Sequence, residues 1–381
     1  MSSFPQHRVH RIATSVFFFV AGLCFASWAS RIPDIQAKLK LSDAGLGSVL
    51  FALPVGLMAS LPVSGWLVTK FGSKRILLVG GITYPLMLCC IGLTAYTWQL
   101  VIVLVFFGLA SNLLNIAVNT QAVSVEAEYG RSIMASFHGV WSLAGFVGAS
   151  IGSGMIVLHI IPLYHYLIVA ALVIATVLLF QHKVSAHDLP HDTSQPLFVK
   201  PDKVLLQLGI IALCCMICEG SMFDWSGVYF RKEVVNVGKL STLGYVAFMA
   251  SMATGRFISD ALVTRLGARR VLQVSGIVIA CGLLLAIIFP YLVTATIGFL
   301  LVGFGVSSVV PVVYSVAGRS GTMAPGLALA AVSTIGYFGF LFGPPLIGFI
   351  AQAANLRWSL ALIAVLGFCT TLMASKKSLK I

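Results

Sequence analysis

Glu219 interrupts a long apolar run about fifteen residues after the run begins, roughly 22 Å into a helix at 1.5 Å per residue. An ionisable side chain at that depth is costly and by default marks a substrate or proton site. There it could load and release a proton near neutral pH, or stay protonated and hydrogen-bond a neighbouring helix. Asp224 follows in the same run, roughly 140° further round the helix and nearer its far end, so the two carboxyls do not share a face. Asn112, Asn115 and Asn119 fall on one stripe of another helix. Amides in an apolar helix either join helices by hydrogen bonds or offer donors and acceptors to a polar ligand. His138 and Trp141 neighbour each other on one face of a third helix. With Trp28, Trp225 and Tyr337 they could wall a pocket for a sugar-like or organic solute; packing and an interfacial belt are the alternatives.

Other chemistries find no support in the residues. The eight cysteines all lie inside apolar runs, as small, soft core residues do. Cys214, Cys215 and Cys218 lack a second His/Cys cluster, so no metal site is expected. His182, His187, Asp188, His191 and Asp192 read as a solvated linker rather than a ligand set. With no nucleophile–base–orienter set, neither an enzyme nor a cofactor is expected. The net charge is +13, but the charges sit between apolar runs and form no basic face on a soluble domain, which argues against nucleic acid.

The elements carrying these residues must sit in a bilayer. The 381 residues are 59% hydrophobic and only 9% charged, with a mean hydropathy of +1.01. Soluble domains carry about 25% charged residues, and a membrane helix needs about 20 apolar ones. Apolar stretches predict twelve helices at roughly 11–31, 44–68, 76–96, 99–124, 132–157, 162–182, 204–230, 241–262, 271–291, 292–317, 325–350 and 356–375. The fold expected is an all-α membrane protein. The stretch after Arg8 and Arg11 is longer than a signal-peptide core and reads as the first membrane helix. With both termini inside, about 17 of the 24 Lys and Arg fall on the cytoplasmic side, Arg256 among them and Arg31 outside.

The chain also repeats itself. Val68-Thr69-Lys70-Phe71-Gly72-Ser73-Lys74-Arg75 returns about half a chain later as Val263-Thr264-Arg265-Leu266-Gly267-Ala268-Arg269-Arg270. At nearly the same offset Ser27-Trp28 matches Asp224-Trp225, and Ser136 and Gly139 match Ser333 and Gly336. The organisation expected is a six-helix bundle over 1–182, a cytoplasmic linker over 183–203 and a second six-helix bundle over 204–381, a transporter plan with parallel repeats.

The loop Gly65-x-x-x-Thr69-Lys70-x-Gly72-x-Lys74-Arg75 resembles the signature loop of the major facilitator superfamily, with Thr69 where that family usually has an acidic residue. Ala26-Ser27-Trp28-Ala29-Ser30-Arg31-x-Pro33, Glu219-Gly220-Ser221-x-x-Asp224-Trp225 and the Gly336–Gly348 segment resemble a branch of bacterial inner-membrane permeases typified by YbjJ, near the fucose–proton symporters. The resemblance implies twelve transmembrane helices in two pseudo-symmetric bundles, a multi-pass inner-membrane location with cytoplasmic termini, and a monomer. It also implies that helices 1, 4, 7 and 10 line a cavity, which favours solute contact for Asn112, Asn115 and Asn119. Helices 1 and 7 are neighbours in that family, which makes Arg31 and Asp224 a candidate outer gate.

The expected function is proton-coupled symport of a small polar solute, with Glu219 and Asp224 as proton-coupling candidates. The repeated loops, through Lys70, Gly72, Lys74, Arg75, Arg265, Gly267, Arg269 and Arg270, are candidate cytoplasmic gates. The family's antiporters typically carry a Gly-Pro motif on helix 5, and its absence here favours uptake over efflux. A proton-driven efflux antiporter and a non-transporting receptor are the alternatives.

Overall fold

The computed structural model describes residues 6–130, 133–185, 202–319 and 325–376, and these are almost wholly helical. Twelve helical spans are long and apolar enough to cross a membrane. They are α1 (Gln6–Leu39), α2 (Asp43–Phe71), α3 (Ser73–Leu93), α4 (Thr97–Tyr129), α5 (Ser136–Val157) and α6 (Pro162–Lys183). In the second half follow α7 (Lys203–Glu233), α8 (Leu243–Leu266), α9 (Ala268–Ile288), α10 (Leu292–Gly318), α11 (Ala331–Ala353) and α12 (Leu356–Ser375). The expected all-α membrane architecture is therefore present, and the chain is a multi-pass membrane protein. The motif of His187, Asp188, His191 and Asp192 lies outside the described residues.

Prolines explain where the spans depart from straight helices. α2 breaks at Phe51 and α10 at Ser308. Each break falls just upstream of a proline, Pro54 and Pro311, whose missing N–H cannot bond the carbonyl four residues back. α1 starts earlier than its apolar core suggests and continues past Ser30 and Arg31 as a second piece, Ile32–Leu39, with Pro33 in its first turn. That piece ends on Lys40 in the left-handed region, at φ 51°.

Two compact units result. One holds Met1–Lys40 and Val49–His191; the other holds Leu41–Ser48 and Asp192–Ile381. The strip Leu41–Ser48 thus belongs with the second unit although it lies in the first half of the sequence. Glycines allow this: a Cβ on Gly47 would stand 2.7 Å from the Pro344 carbonyl, and Lys232 reaches the Asp43 carboxylate.

Helix pairing repeats between the units. In the first, α1 packs on α5, α2 on α4, and α3 on α4 and α6. In the second, α7 packs on α11, α8 on α10, and α9 on α10 and α12. Every pair recurs six helices later, the structural form of the sequence repeat. Small residues set the closeness of these contacts, as membrane packing requires. A Cβ on Gly108 would collide with the Leu53 carbonyl, and one on Gly303 with the Phe248 carbonyl.

Polar side chains close the helix ends. Asp202 accepts from Leu205 N at 2.7 Å at the start of α7, and Asn355 from Trp358 N at 3.2 Å at the start of α12. Glu126, at the end of α4, accepts from the backbone N–H groups of Ile133 and Met134, at 2.7 and 2.8 Å, and so fixes the entry to α5. Trp98 and Trp358 stand exposed at the N-terminal ends of α4 and α12, the place of an interfacial aromatic.

Candidate functional site

Glu219 lies mid-helix on α7, its side chain only 8% exposed. Arg256, mid-helix on α8, donates from Nη2 to Glu219 Oε1 at 2.9 Å. By loop counting Arg256 is expected among the cytoplasmic basic residues. It is instead inside the Leu243–Leu266 span, its charge answered by a carboxylate rather than by headgroups and water. Its neighbour Gly255 lets α10 approach, since a Cβ there would collide with Ser307 Oγ. Tyr314 on α10 and Tyr337 on α11 both have Glu219 among their electrostatic neighbours. Four helices of the second unit thus bring a carboxylate, a guanidinium and two phenols together around Glu219.

Such a pair is costly to build and more costly to break. Each ion loses hydration, and removing one partner strands the other, at about 3–5 kcal/mol. The arrangement can accept a proton on the carboxylate, release the guanidinium, or hold an anion on it.

The first unit carries a second buried cluster. Arg31, 2% exposed at the break in α1, donates to Asp34 Oδ2 at 2.7 Å, to His165 Nδ1 at 3.3 Å and to the Ile160 carbonyl. Because guanidinium only donates, His165 must accept at Nδ1 and is a neutral imidazole protonated on Nε2. Asp224 on α7 is half-buried, and no hydrogen bond or ion pair links it to another described residue.

The asparagines on α4 divide between two roles. Asn112 is buried and donates to Ser60 Oγ at 2.9 Å, which joins α4 to α2. Asn115 is exposed, and Asn119 donates to its carbonyl at 2.8 Å and its amide oxygen at 2.9 Å. His138 is exposed on α5 with its ring edge-on to Phe18, centroids 5.3 Å apart. Trp141, half-buried, lies 6.0 Å from Phe25. Trp28 and Trp225 are fully buried, and neither indole N–H has an acceptor among the described residues. Tyr337 is half-buried.

The two basic loops have nearly the same backbone. Gly72 has φ 80° and ψ 147°, and Gly267 φ 80° and ψ 151°. Each donates its N–H to the residue four back, Val68 or Val263, at 2.9 Å. Their basic side chains then diverge. Lys70 lies over the Trp66 ring at 4.6 Å. Arg269 donates to the Ala374 carbonyl at 3.1 Å and to the Ser375 carbonyl, which caps the end of α12. Arg75, Arg265 and Arg270 are exposed and Lys74 is half-buried.

Arg256, Asp34, His165 and Tyr314 are cluster members that residue type and spacing alone do not single out. Arg256 carried a usable signal, as the lone cation within its apolar run.

Comparison with known proteins agrees with this architecture. A family model described as Major Facilitator Superfamily matches residues 14–324. An MFS-type transporter of Yersinia pestis is 36% identical over 359 residues, covering 93% of this chain and 92% of that one. A cis,cis-muconate transport protein of Acinetobacter baylyi is 22% identical, covering 85% and 82%. Among solved structures, the nucleoside transporter NupG shares the fold at a TM-score of 0.71 and 14% identity, covering 96% of this chain and 99% of that one.

Proposed function

Because the chain belongs to the Major Facilitator Superfamily, we propose that this membrane transporter moves a small polar organic solute by alternating access, in symport with protons. The observation that carries the reading is the Glu219–Arg256 ion pair inside two apolar spans. A proton arriving on Glu219 removes the charge that holds Arg256. The pair therefore has two electrostatic states, and a coupled carrier needs such a two-state element.

In this reading the solute is contacted by exposed Asn115 and His138, with half-buried Asn119 and Trp141 beside them, in the first unit, and by half-buried Tyr337 in the second. Asn112 supports them by fixing α4 on α2, and Trp28 and Trp225 form the packing behind. Arg31 and Asp224 act at the outer side, and the Gly72 and Gly267 loops at the cytoplasmic side. The protein works as a monomer in a bacterial inner membrane with both termini cytoplasmic. It falls in the permease branch near the fucose–proton symporters on the strength of the Glu219–Trp225 and Gly336–Gly348 motifs.

A second reading narrows the solute to an organic carboxylate, and Arg256 favours it. When Glu219 takes up a proton, a solute carboxylate can replace it as acceptor for the guanidinium N–H groups. The relative named a cis,cis-muconate transport protein is in keeping with a carboxylate. Uptake into proteoliposomes under an imposed pH gradient, with sugars, nucleosides and mono- and dicarboxylates as the panel, tests both readings. Accumulation of one polar solute that dissipates with the gradient supports symport, and confinement to carboxylates selects the second reading. Gradient-driven expulsion of apolar cations would instead make the protein an antiporter.

A further inference from the structure

We propose that the first unit binds one anionic phospholipid in a groove on α1, with the headgroup at Arg8 and Arg11 and an acyl chain between α1 and α6. The groove begins as a cavity of about 610 Å³ at the N-terminal end of α1, with Arg8, Arg11, Ser15 and Tyr129 on its rim. A second cavity of about 350 Å³ adjoins it through the shared residues Val16 and Phe19. Apart from Thr176 its walls are apolar, with Leu23 on α1 facing Leu172, Val173 and Phe180 on α6.

The dimensions and the chemistry suit a lipid. Arg8 to Leu23 spans about 22 Å at 1.5 Å per helical residue, enough to run from the headgroup level through one leaflet of a hydrocarbon core about 30 Å thick. The residues lining it recur on one stripe of α1. Trp28 points to another side, where it meets Phe107 of α4. The groove runs along the seam between α1 and α6, with Val20, Leu23 and Val173 buried in its floor and Ile12 and Leu172 exposed on its walls.

Charge identifies the headgroup. Arg11 is steered by the Tyr129 ring, 5.2 Å from its guanidinium carbon. Among the described residues neither Arg8 nor Arg11 makes an ion pair. The nearby carboxylate of Glu128 is bonded to His10 at 2.9 Å. Two uncompensated guanidinium groups above an apolar slot match a phosphate joined to an acyl chain. A zwitterionic lipid brings its own cation and gains less.

Native mass spectrometry of the full chain, washed in detergent and titrated with phosphatidylglycerol or phosphatidylethanolamine, tests this. We expect one phosphatidylglycerol retained per chain, at least tenfold tighter than phosphatidylethanolamine. The Arg8→Gln/Arg11→Gln pair should abolish that preference, and Arg8→Lys/Arg11→Lys should keep most of it. Leu172→Trp, at an exposed wall of the slot, fills it with both charges intact and should weaken retention as strongly as the glutamine pair. All variants are read alongside the helical circular dichroism signal, so that loss of fold is separated from loss of site. Equal retention of both lipids by the native chain would mean a nonspecific lipid belt and overturn the proposal. So would displacement by millimolar glycerol phosphate, which would make this a soluble-phosphate site.

Discussion

Truncating either member of the Glu219–Arg256 pair should cost at least as much as truncating both. The side chains are 8% and 16% exposed, so solvent screens them little. Arg256→Ala leaves a carboxylate in an apolar span, and Glu219→Ala leaves a guanidinium there. Each single loss should lower stability by about 3–5 kcal/mol. The double variant strands no charge and should cost about 2–4 kcal/mol, mostly lost packing. The coupling energy from the cycle, the two single losses less the double, should then be about 5 kcal/mol, above the roughly 0.5–3 kcal/mol usual for contacting residues. Reversible unfolding titrations of the four proteins in mixed micelles, followed by tryptophan fluorescence, supply the cycle. Single effects that add to the double within about 0.5 kcal/mol would mean that the two residues act independently, and the two-state pair would have no basis.

Further expectations follow from the helix contacts and loops. Gly72→Ala and Gly267→Ala each place a Cβ at φ 80°, so each should cost about 1–3 kcal/mol in the same titrations; two neutral outcomes would mean that the loops relax freely. Asn112→Ala should lose the bond to Ser60 and about 0.6–2 kcal/mol without changing the KM for an identified solute, whereas Asn115→Ala should raise that KM; the reverse pattern in uptake assays would move the solute contact to Asn112. Asp202→Ala removes the α7 cap and should cost about 1 kcal/mol. Hydrogen exchange at the start of α7 should rise with it, and unchanged exchange there would remove the cap from the account.

Apolar run length made the twelve spans legible in the sequence, because a bilayer imposes it directly. The repeat was legible as well: the loops around Gly72 and Gly267 share both residue pattern and backbone angles. The ends of the spans were harder to read. Polar residues such as Gln36 and Lys38 look like loop from composition, yet Ile32–Leu39 is helical because Pro33 starts a new turn there. The site was only half legible. Glu219 declared itself by isolation in its run, but its partner sits 37 residues away on another helix, and no periodicity within α7 points to α8. Helix spacing grouped the three asparagines on α4, yet rotation around the helix turns Asn112 toward Ser60 and leaves Asn115 exposed. Arg31 illustrates the same limit. Its charge placed it at the outer end of the first helix, but spacing could not show that Asp34, His165 and the Ile160 carbonyl would bury it there.

In the proposed mechanism, proton uptake by Glu219 couples solute movement to the pH gradient. Solute uptake into proteoliposomes, with internal pH recorded by an entrapped dye, tests it most directly when native protein is set beside Glu219→Gln. In native vesicles, solute entry should acidify the lumen. Glu219→Gln should still exchange labelled for unlabelled solute across the membrane, but without a pH signal and without accumulation against a gradient. Undiminished gradient-driven accumulation by Glu219→Gln would contradict it.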